Sequence, residues 1–210
     1  MDIGRRYNQP IHKNSSGGQK SSNWRAGPAI VFGVILVPAW SVGVAGLSWA
    51  GLLGTALGWA LLRLAVIDAR HLILPDKITL PLIAGGLIAG YALHPAMLPD
   101  HLIGAIAGYL ALWGVGAAFQ ALRGHAGLGL GDAKLFAAAG AWLTWVGLPT
   151  VLAFASFGGL ALALASRVIS GPGDKNKPLP FGPPLALGIW LVWLYGPIQW
   201  GVPGIWGGAP

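Results

Sequence analysis

The sequence predicts an all-α protein, a polytopic bundle of about seven transmembrane helices. Of its 210 residues, 55% are hydrophobic and only 9% are charged, and the mean hydropathy is +0.65. A soluble domain needs more polar residues than this to cover its surface. The 34 Gly, 16 Pro and 11 Trp are also typical of helices that pack closely in lipid and carry Trp at the membrane interfaces.

Seven apolar segments follow a polar N-terminal arm. The arm, residues 1–27, is basic and lacks an apolar run, so we expect a disordered cytoplasmic arm and not a cleaved signal peptide. The apolar segments span residues 28–46, 48–67, 78–94, 101–122, 133–147, 149–166 and 181–196. Because a membrane crossing takes about 20 apolar residues, the fifth segment is short. A count of six, with one long helix over 134–166, therefore stays open at this point.

The basic residues predict how these segments are oriented. Every Lys and Arg lies in the arm or in and beside three stretches, which are 68–77, 123–132 and 167–180. The positive-inside rule places these stretches in the cytoplasm and the tail, 197–210, outside. The regular alternation favours seven spans over six, with residues 28–196 as the transmembrane domain. It also favours contact with anionic lipid, and no pattern typical of nucleic-acid binding occurs.

The sequence contains no Glu and no Cys, so any carboxylate chemistry must come from its aspartates. Two of these aspartates are the strongest candidates. Asp68 ends the second predicted span and Asp132 opens the fifth, so both are expected at the cytoplasmic edge of the hydrocarbon. A folded bundle can bring two such carboxyls together. One of them can then activate a water molecule while the other, as an acid, protonates the leaving amine. This chemistry hydrolyses a peptide bond without a metal or a cofactor.

Each aspartate also has a structural interpretation. An Asp at a span boundary is commonly a solvated helix end, and Asp132 stands where the N-cap of the fifth helix is expected. Gly129 and Gly131 favour a functional interpretation of Asp132, because glycines let the backbone bend and approach a substrate closely. Asp76, which follows a proline, is expected to cap the third helix, so its first interpretation is structural.

Three motifs resemble the signatures of the type IV prepilin peptidase family. The stretch Asp68-Ala-Arg-His-Leu-Ile-Leu-Pro-Asp-Lys-Ile-Thr79 resembles the first signature. The stretch Gly129-Leu-Gly131-Asp132-Ala-Lys134 resembles the second, and Pro180-Phe181-Gly182-Pro183 looks like the third. The motifs occur in the family's order and each lies at a predicted cytoplasmic edge, so the resemblance covers residues 48–196.

The resemblance implies an aspartic endopeptidase of the bacterial inner membrane. Its substrates would be precursors of type IV pilins or of type II secretion pseudopilins, cut after a Gly on the cytoplasmic side. Asp68 and Asp132 would be the catalytic pair, supported by Asp76, Lys134, Gly129 and Gly131. Many members carry Cys-x-x-Cys motifs and also methylate the new N-terminus. Because this sequence has no Cys, we expect peptidase activity without N-methyltransferase activity.

Two other functions remain as alternatives. One is a different Gly-x-Gly-Asp intramembrane protease with other substrates, against which the Leu74-Pro75-Asp76 signature argues. The other is a non-catalytic transporter in which Asp68 and Asp132 bind a proton or a cation along a path. A transporter is expected to show internal repeats and an acid near the middle of the membrane, and the sequence shows neither.

Overall fold

Six α-helices form the part of the chain that the computed structural model describes, which is residues 28–124, 129–170 and 179–198. They are α1 (Pro28–Ala45), α2 (Trp49–His71), α3 (Asp76–Leu93), α4 (Leu98–Arg123), α5 (Leu130–Ser170) and α6 (Gly182–Tyr195), and a 3-10 turn over Pro95–Met97 precedes α4. No β-strand occurs in these ranges, so the predicted all-α class is confirmed. The predicted arm 1–27 and residues 199–210 of the predicted tail lie outside the described residues.

Four helical stretches are long and apolar enough to cross a membrane: Trp49–His71, Asp76–Leu93, Pro95–Leu122 and Leu130–Ser166. Two further apolar helices, Gly33–Ala45 and Gly182–Tyr195, are shorter. The outer surface of the bundle carries many exposed apolar side chains, with Ile88 at 68% and Phe157 at 74% exposure. Lipid solvates such side chains, whereas water does not. The chain is therefore a multi-pass membrane protein.

Local sequence determines where the helices around Asp68 end and begin. Leu72 adopts a left-handed conformation (φ 54), and its N–H donates to the carbonyl of Asp68 at 2.8 Å, which ends α2. Pro75 is then extended and precedes α3, as its fixed φ favours. Asp68 therefore lies at the end of the second span, as expected, although the helix is longer than the predicted segment 48–67. The helix continues past the apolar run to His71, since polar side chains do not interrupt its backbone bonds, and Asp68 lies in its last turn.

The helix α5 consists of two arms that reverse direction. Thr144 has non-helical angles (φ 61, ψ 179) and divides α5 into a first arm, residues 130–143, and a second arm, residues 145–170. The first arm starts at the end of the bundle where α6 also starts. The second arm runs antiparallel to α6 and returns to that end, where a Cβ on Gly158 would lie 2.9 Å from Pro184.

The predicted fifth and sixth segments, 133–147 and 149–166, correspond to these two arms, but the reversal comes at Thr144 and not near residue 148. Gly147 and Pro149, on either side of residue 148, lie at the start of the second arm. A proline this early in a helix loses few backbone hydrogen bonds, so it does not force the turn.

The first arm of α5 is the centre of the bundle. Every residue from 135 to 144 is buried. It packs so closely on α4 that a Cβ on Gly104 would lie 2.6 Å from the carbonyl oxygen of Gly140. Small residues allow helices in lipid to approach backbone to backbone, and van der Waals packing then stabilises the pair. This contact stabilises the first arm of α5, whose first turn carries Asp132.

Two of the helical elements that carry site residues are short. The first arm of α5 and α6 each contain 14 residues, which corresponds to about 21 Å at 1.5 Å per residue. By the same measure α4, with its 26 residues, is about 39 Å long. Asp132 and Gly182 therefore lie at the start of short elements, whereas Asp68 lies at the end of the longer α2.

Candidate active site

Asp68 is a buried carboxyl group in the last turn of α2, and its side chain is only 5% exposed. Its Oδ2 accepts a hydrogen bond from the backbone N–H of Gly182 at 2.8 Å. Gly182 is the first residue of α6 and lies 114 positions away in the sequence. Burial of an ionisable group in a membrane protein is costly and usually marks a functional site. The interpretation of Asp68 as a solvated helix end does not fit this environment.

Asp132 is the third residue of α5 and is only 9% exposed. Its backbone N–H donates to the carbonyl of Gly129 at 3.1 Å, and the Gly129 backbone N–H in turn donates to the Asp132 carboxyl. The second of these bonds is one half of a capping box, in which the side chain of the third helical residue accepts from the N–H of the N-cap; Gly129 has no side chain to complete the other half. The structural interpretation expected Asp132 to be the N-cap of this helix, and the structure shows that it is not.

The two carboxyls converge at one end of the bundle. Asp68 and Asp132 lie close enough for their charges to interact, although they belong to α2 and α5. The end of α2 and the first turns of α3, α5 and α6 meet here. Leu74, between α2 and α3, packs against the backbone of Gly131, where a Cβ would lie 2.8 Å from the Cβ of Leu74. The structure thus brings together the two residues that the sequence interpretation paired.

Asp76 and Lys134 form an ion pair beside the two buried aspartates. Lys134 Nζ lies 2.6 Å from Asp76 Oδ1, with the two side chains 28% and 55% exposed. The expected capping role of Asp76 is not observed: α3 begins at Asp76, and Pro75 is its N-cap without a side-chain cap bond. The carboxylate instead links the first turn of α3 to the first turn of α5. Lys134 follows Asp132 by two residues, so the pair helps to fix the start of α5.

Gly129 and Gly131 differ in their surroundings. Gly129 is exposed and directly precedes α5. Its carbonyl accepts from the Asp132 N–H, and its own N–H donates to the Asp132 carboxyl. Gly131 is half-buried and leaves no room for a side chain, because Leu74 occupies the space. Of the two, Gly131 therefore has the clearer structural requirement for glycine.

Gly182 contacts Asp68, although the sequence interpretation did not select it as a site residue. A Cβ on Gly182 would lie 2.6 Å from Oδ2 of Asp68, so this glycine allows α6 to approach the carboxyl. The third motif, Pro180-Phe181-Gly182-Pro183, contains Gly182 and could have indicated this role. It contains no side chain that can take part in the chemistry, so it did not select a site residue. In the described ranges, no group of three or more His, Asp or Glu side chains is placed to hold a metal ion.

Comparison with known proteins identifies similar sequences. The sequence model of the type IV leader peptidase family matches residues 55–164, a range that contains both aspartates. A prepilin leader peptidase/N-methyltransferase of Aeromonas hydrophila is 43% identical over 148 residues, which are 70% of this chain and 51% of that protein. The protein of the same name from Pseudomonas aeruginosa is 40% identical over 151 residues, 72% of this chain and 52% of the relative.

A third relative of that name, from Dickeya chrysanthemi, is 45% identical over 148 residues, 69% of this chain and 52% of its own length. The chain thus spans about half the length of the curated relatives it matches. No solved structure gives a significant match.

Proposed function

The chain belongs to the type IV leader peptidase family, and on that premise we propose that it is an aspartic endopeptidase in which Asp68 and Asp132 are the catalytic pair. Its substrates are prepilins or pseudopilins, from which it removes the basic leader by cutting after a Gly. The observation that carries this proposal is the convergence of two buried carboxyls from helices far apart in the sequence. A transporter path is expected to separate such groups along the bundle, so the interaction between these two charges supports the peptidase.

The proposed reaction is general acid–base hydrolysis by a carboxyl pair. Two neighbouring carboxyls favour one shared proton, since two adjacent negative charges repel each other. The ionised carboxyl accepts a proton from a water molecule as that water attacks the scissile carbonyl carbon. The protonated carboxyl then donates its proton to the amine that leaves when the C–N bond breaks. Burial excludes bulk water and strengthens these electrostatic interactions.

The location of the pair suits a substrate that itself enters the membrane. A prepilin leader is followed by an apolar helix, which can lie in the bilayer beside the enzyme and place the junction at the level of Asp68 and Asp132. Confinement of both partners to one plane supplies proximity without a deep pocket. Arg70, Lys77 and Lys134 are basic residues at the end of the bundle that carries the two carboxyls. In the proposed topology, this end lies on the cytoplasmic side of the inner membrane.

The function is tested by cleavage of a purified prepilin in lipid nanodiscs, with an ordinary secretory preprotein as the comparison. We expect cleavage after the leader Gly and no cleavage of the secretory preprotein. Mass spectrometry of the products identifies the bond that is cut. Cleavage of both substrates would favour a general Gly-x-Gly-Asp protease, and cleavage of neither would remove the proposed function.

We expect cleavage to proceed unchanged in EDTA and after treatment with a thiol-alkylating reagent. The proposed chemistry uses only two carboxyls and water, and the chain contains no Cys. The rate is measured on the same prepilin before and after each treatment, with a known zinc peptidase as the positive control for chelation. A large loss of activity in EDTA would require a metal in the reaction and would contradict the proposed mechanism. The proposal is confined to cleavage and does not include methyl transfer.

The Asp76–Lys134 ion pair is expected to support activity modestly, through the position of Asp132. Asp76→Asn and Lys134→Gln should each lower kcat/KM, and the double variant should be no worse than either single variant. Because Asp76 is half exposed, the coupling should be about 0.5–1 kcal/mol, or about two- to fivefold. A double-mutant cycle on kcat/KM measures this coupling. Strictly additive losses would show that the two side chains act independently.

A further inference from the structure

We propose that the start of α6 is part of the peptidase site, with Gly182 as a positioning residue that holds one oxygen of Asp68 and leaves the other free to react. The proposal rests on the proposed function, because it gives the first turn of α6 a task in leader hydrolysis. Gly182 lies outside the range matched by the family's sequence model, residues 55–164.

The hydrogen bond between Gly182 and Asp68 is the first observation. The N–H of Gly182 donates to Oδ2 at 2.8 Å in buried surroundings. Among the described residues, no hydrogen bond reaches the other oxygen, Oδ1. A carboxylate held through a single oxygen has a fixed side-chain orientation, and its second oxygen keeps its lone pairs available. This second oxygen is the one that can accept a proton from water.

The prolines that follow Gly182 explain why only one oxygen is bound. A helix N-terminus normally offers several free N–H groups, which together bind an anion. Pro183 and Pro184 have no N–H, and the N–H of Leu185 donates to the carbonyl of Phe181 at 3.2 Å. Among residues 182–185, Gly182 is therefore the only one with a backbone N–H that is not used within α6, and this N–H donates to Asp68. The sequence Gly-Pro-Pro removes the donors that would otherwise compete for Oδ1.

The close approach of the two groups requires glycine at position 182. A Cβ built there would lie 2.6 Å from Oδ2, 2.8 Å from Cγ and 2.9 Å from Cβ of Asp68. All three distances are too short for real carbon contacts, so a side chain would displace the carboxyl or the helix. Glycine is needed here for space, since α6 could otherwise begin with any residue of ordinary backbone conformation.

The decisive variant is Pro183→Ala, which restores an N–H in the first turn of α6 without adding bulk. A second donor would bind Oδ1 and stabilise the ionised carboxylate, which weakens Asp68 in proton transfer. We expect kcat to fall by about tenfold, as for one added hydrogen bond to a charged group, with KM unchanged. The matched control is Pro99→Ala, which restores an N–H in the first turn of α4, at the other end of the bundle. It should leave kcat unchanged.

A second readout does not depend on cleavage. Dicyclohexylcarbodiimide enters membranes and adds to accessible carboxyls, and peptide mass spectrometry resolves Asp68 from Asp132. We expect Pro183→Ala to lower labelling of Asp68 relative to Asp132, while Pro99→Ala does not. If the wild-type chain fails to cleave prepilins but labelling changes in this way, the proposed function fails and the positioning of Asp68 stands. Unchanged labelling of Asp68 in Pro183→Ala overturns the proposal, and so does an unchanged kcat.

Gly182→Ala provides an independent variant, with Gly159→Ala as its control. A Cβ on Gly159 meets the Phe181 ring at an ordinary 3.6 Å, so this control adds a methyl group near the start of α6 without displacing Asp68. We expect Gly182→Ala to lower kcat by about a hundredfold, because a displaced general base loses most of its contribution, and Gly159→Ala to leave it unchanged. Wild-type kcat in Gly182→Ala would overturn the proposal. If Gly182→Ala does not fold, Pro183→Ala decides the question.

Discussion

Replacement of Asp68 or Asp132 by Asn is expected to lower kcat/KM for prepilin cleavage by about 10²–10⁴-fold, the usual contribution of a general acid or base. Asn has nearly the same shape as Asp, and its carbonyl oxygen can still accept the bond from Gly182 that Asp68 now accepts. It cannot exchange a proton with water or with the leaving amine. Steady-state kinetics on a purified prepilin in nanodiscs measures the loss.

The fold should survive both substitutions. Each removes one of two buried carboxyls whose charges interact, so the midpoint of thermal unfolding should stay constant or rise. Asp100→Asn is the matched control. Asp100 accepts a bond from Trp145 Nε1 at 3.1 Å at the other end of the bundle, and its replacement should leave kcat/KM unchanged. If Asp68→Asn or Asp132→Asn keeps more than about a tenth of wild-type activity, that residue is not part of a catalytic pair.

The largest effect on stability is expected from a methyl group at the contact between α4 and α5. A Cβ at position 104 would lie 2.6 Å from the Gly140 carbonyl oxygen and 2.7 Å from the backbone of Thr144. Backbone atoms of a packed helix cannot move away as a flexible side chain can. Gly104→Ala should therefore destabilise the protein by about 1–3 kcal/mol or more, and Gly140→Ala should do the same. Thermal unfolding in one detergent, with retained cleavage as a second measure, tests this expectation.

Gly114→Ala serves as the control on the same helix. No atom lies within 4 Å of a Cβ built at position 114. Alanine has the higher helix propensity by about 1 kcal/mol, so this variant should be as stable as the wild type or more stable. An equal loss of stability in Gly104→Ala and Gly114→Ala would show that helix propensity, and not the contact with α5, decides the outcome.

The class of fold and the pairing of Asp68 with Asp132 were accessible from the sequence because both depend on strong, one-dimensional signals. An apolar composition favours a membrane, and long apolar runs in a membrane favour helices, whose backbone bonds are internal. Isolated acids in such a chain are few, and the alternation of basic stretches assigned both aspartates to one end. The resemblance to a known family rested on the same residues.

The features that were missed depend on three-dimensional approach. The bond from Gly182 to Asp68 is made by a backbone N–H. Because every residue except proline carries this group, no residue type predicts the bond. Asp76 pairs with Lys134 because α3 and α5 begin at the same depth in the bundle. The lengths of the apolar segments do not specify this alignment. The reversal at Thr144 occurs at a positive φ (61°) of a β-branched residue, where a sequence-based prediction expects glycine.

The short elements around the candidate pair have a consequence for the surrounding bilayer. The hydrocarbon layer of a typical membrane is about 30 Å thick, whereas α6 and the first arm of α5, with 14 residues each, extend about 21 Å. Such hydrophobic mismatch is relieved when lipids shorten or head groups move inward. The protein would thus thin the membrane locally, so that polar head groups and water come down to meet the carboxyls. The basic leader of the proposed substrate would then meet the two carboxyls in aqueous surroundings.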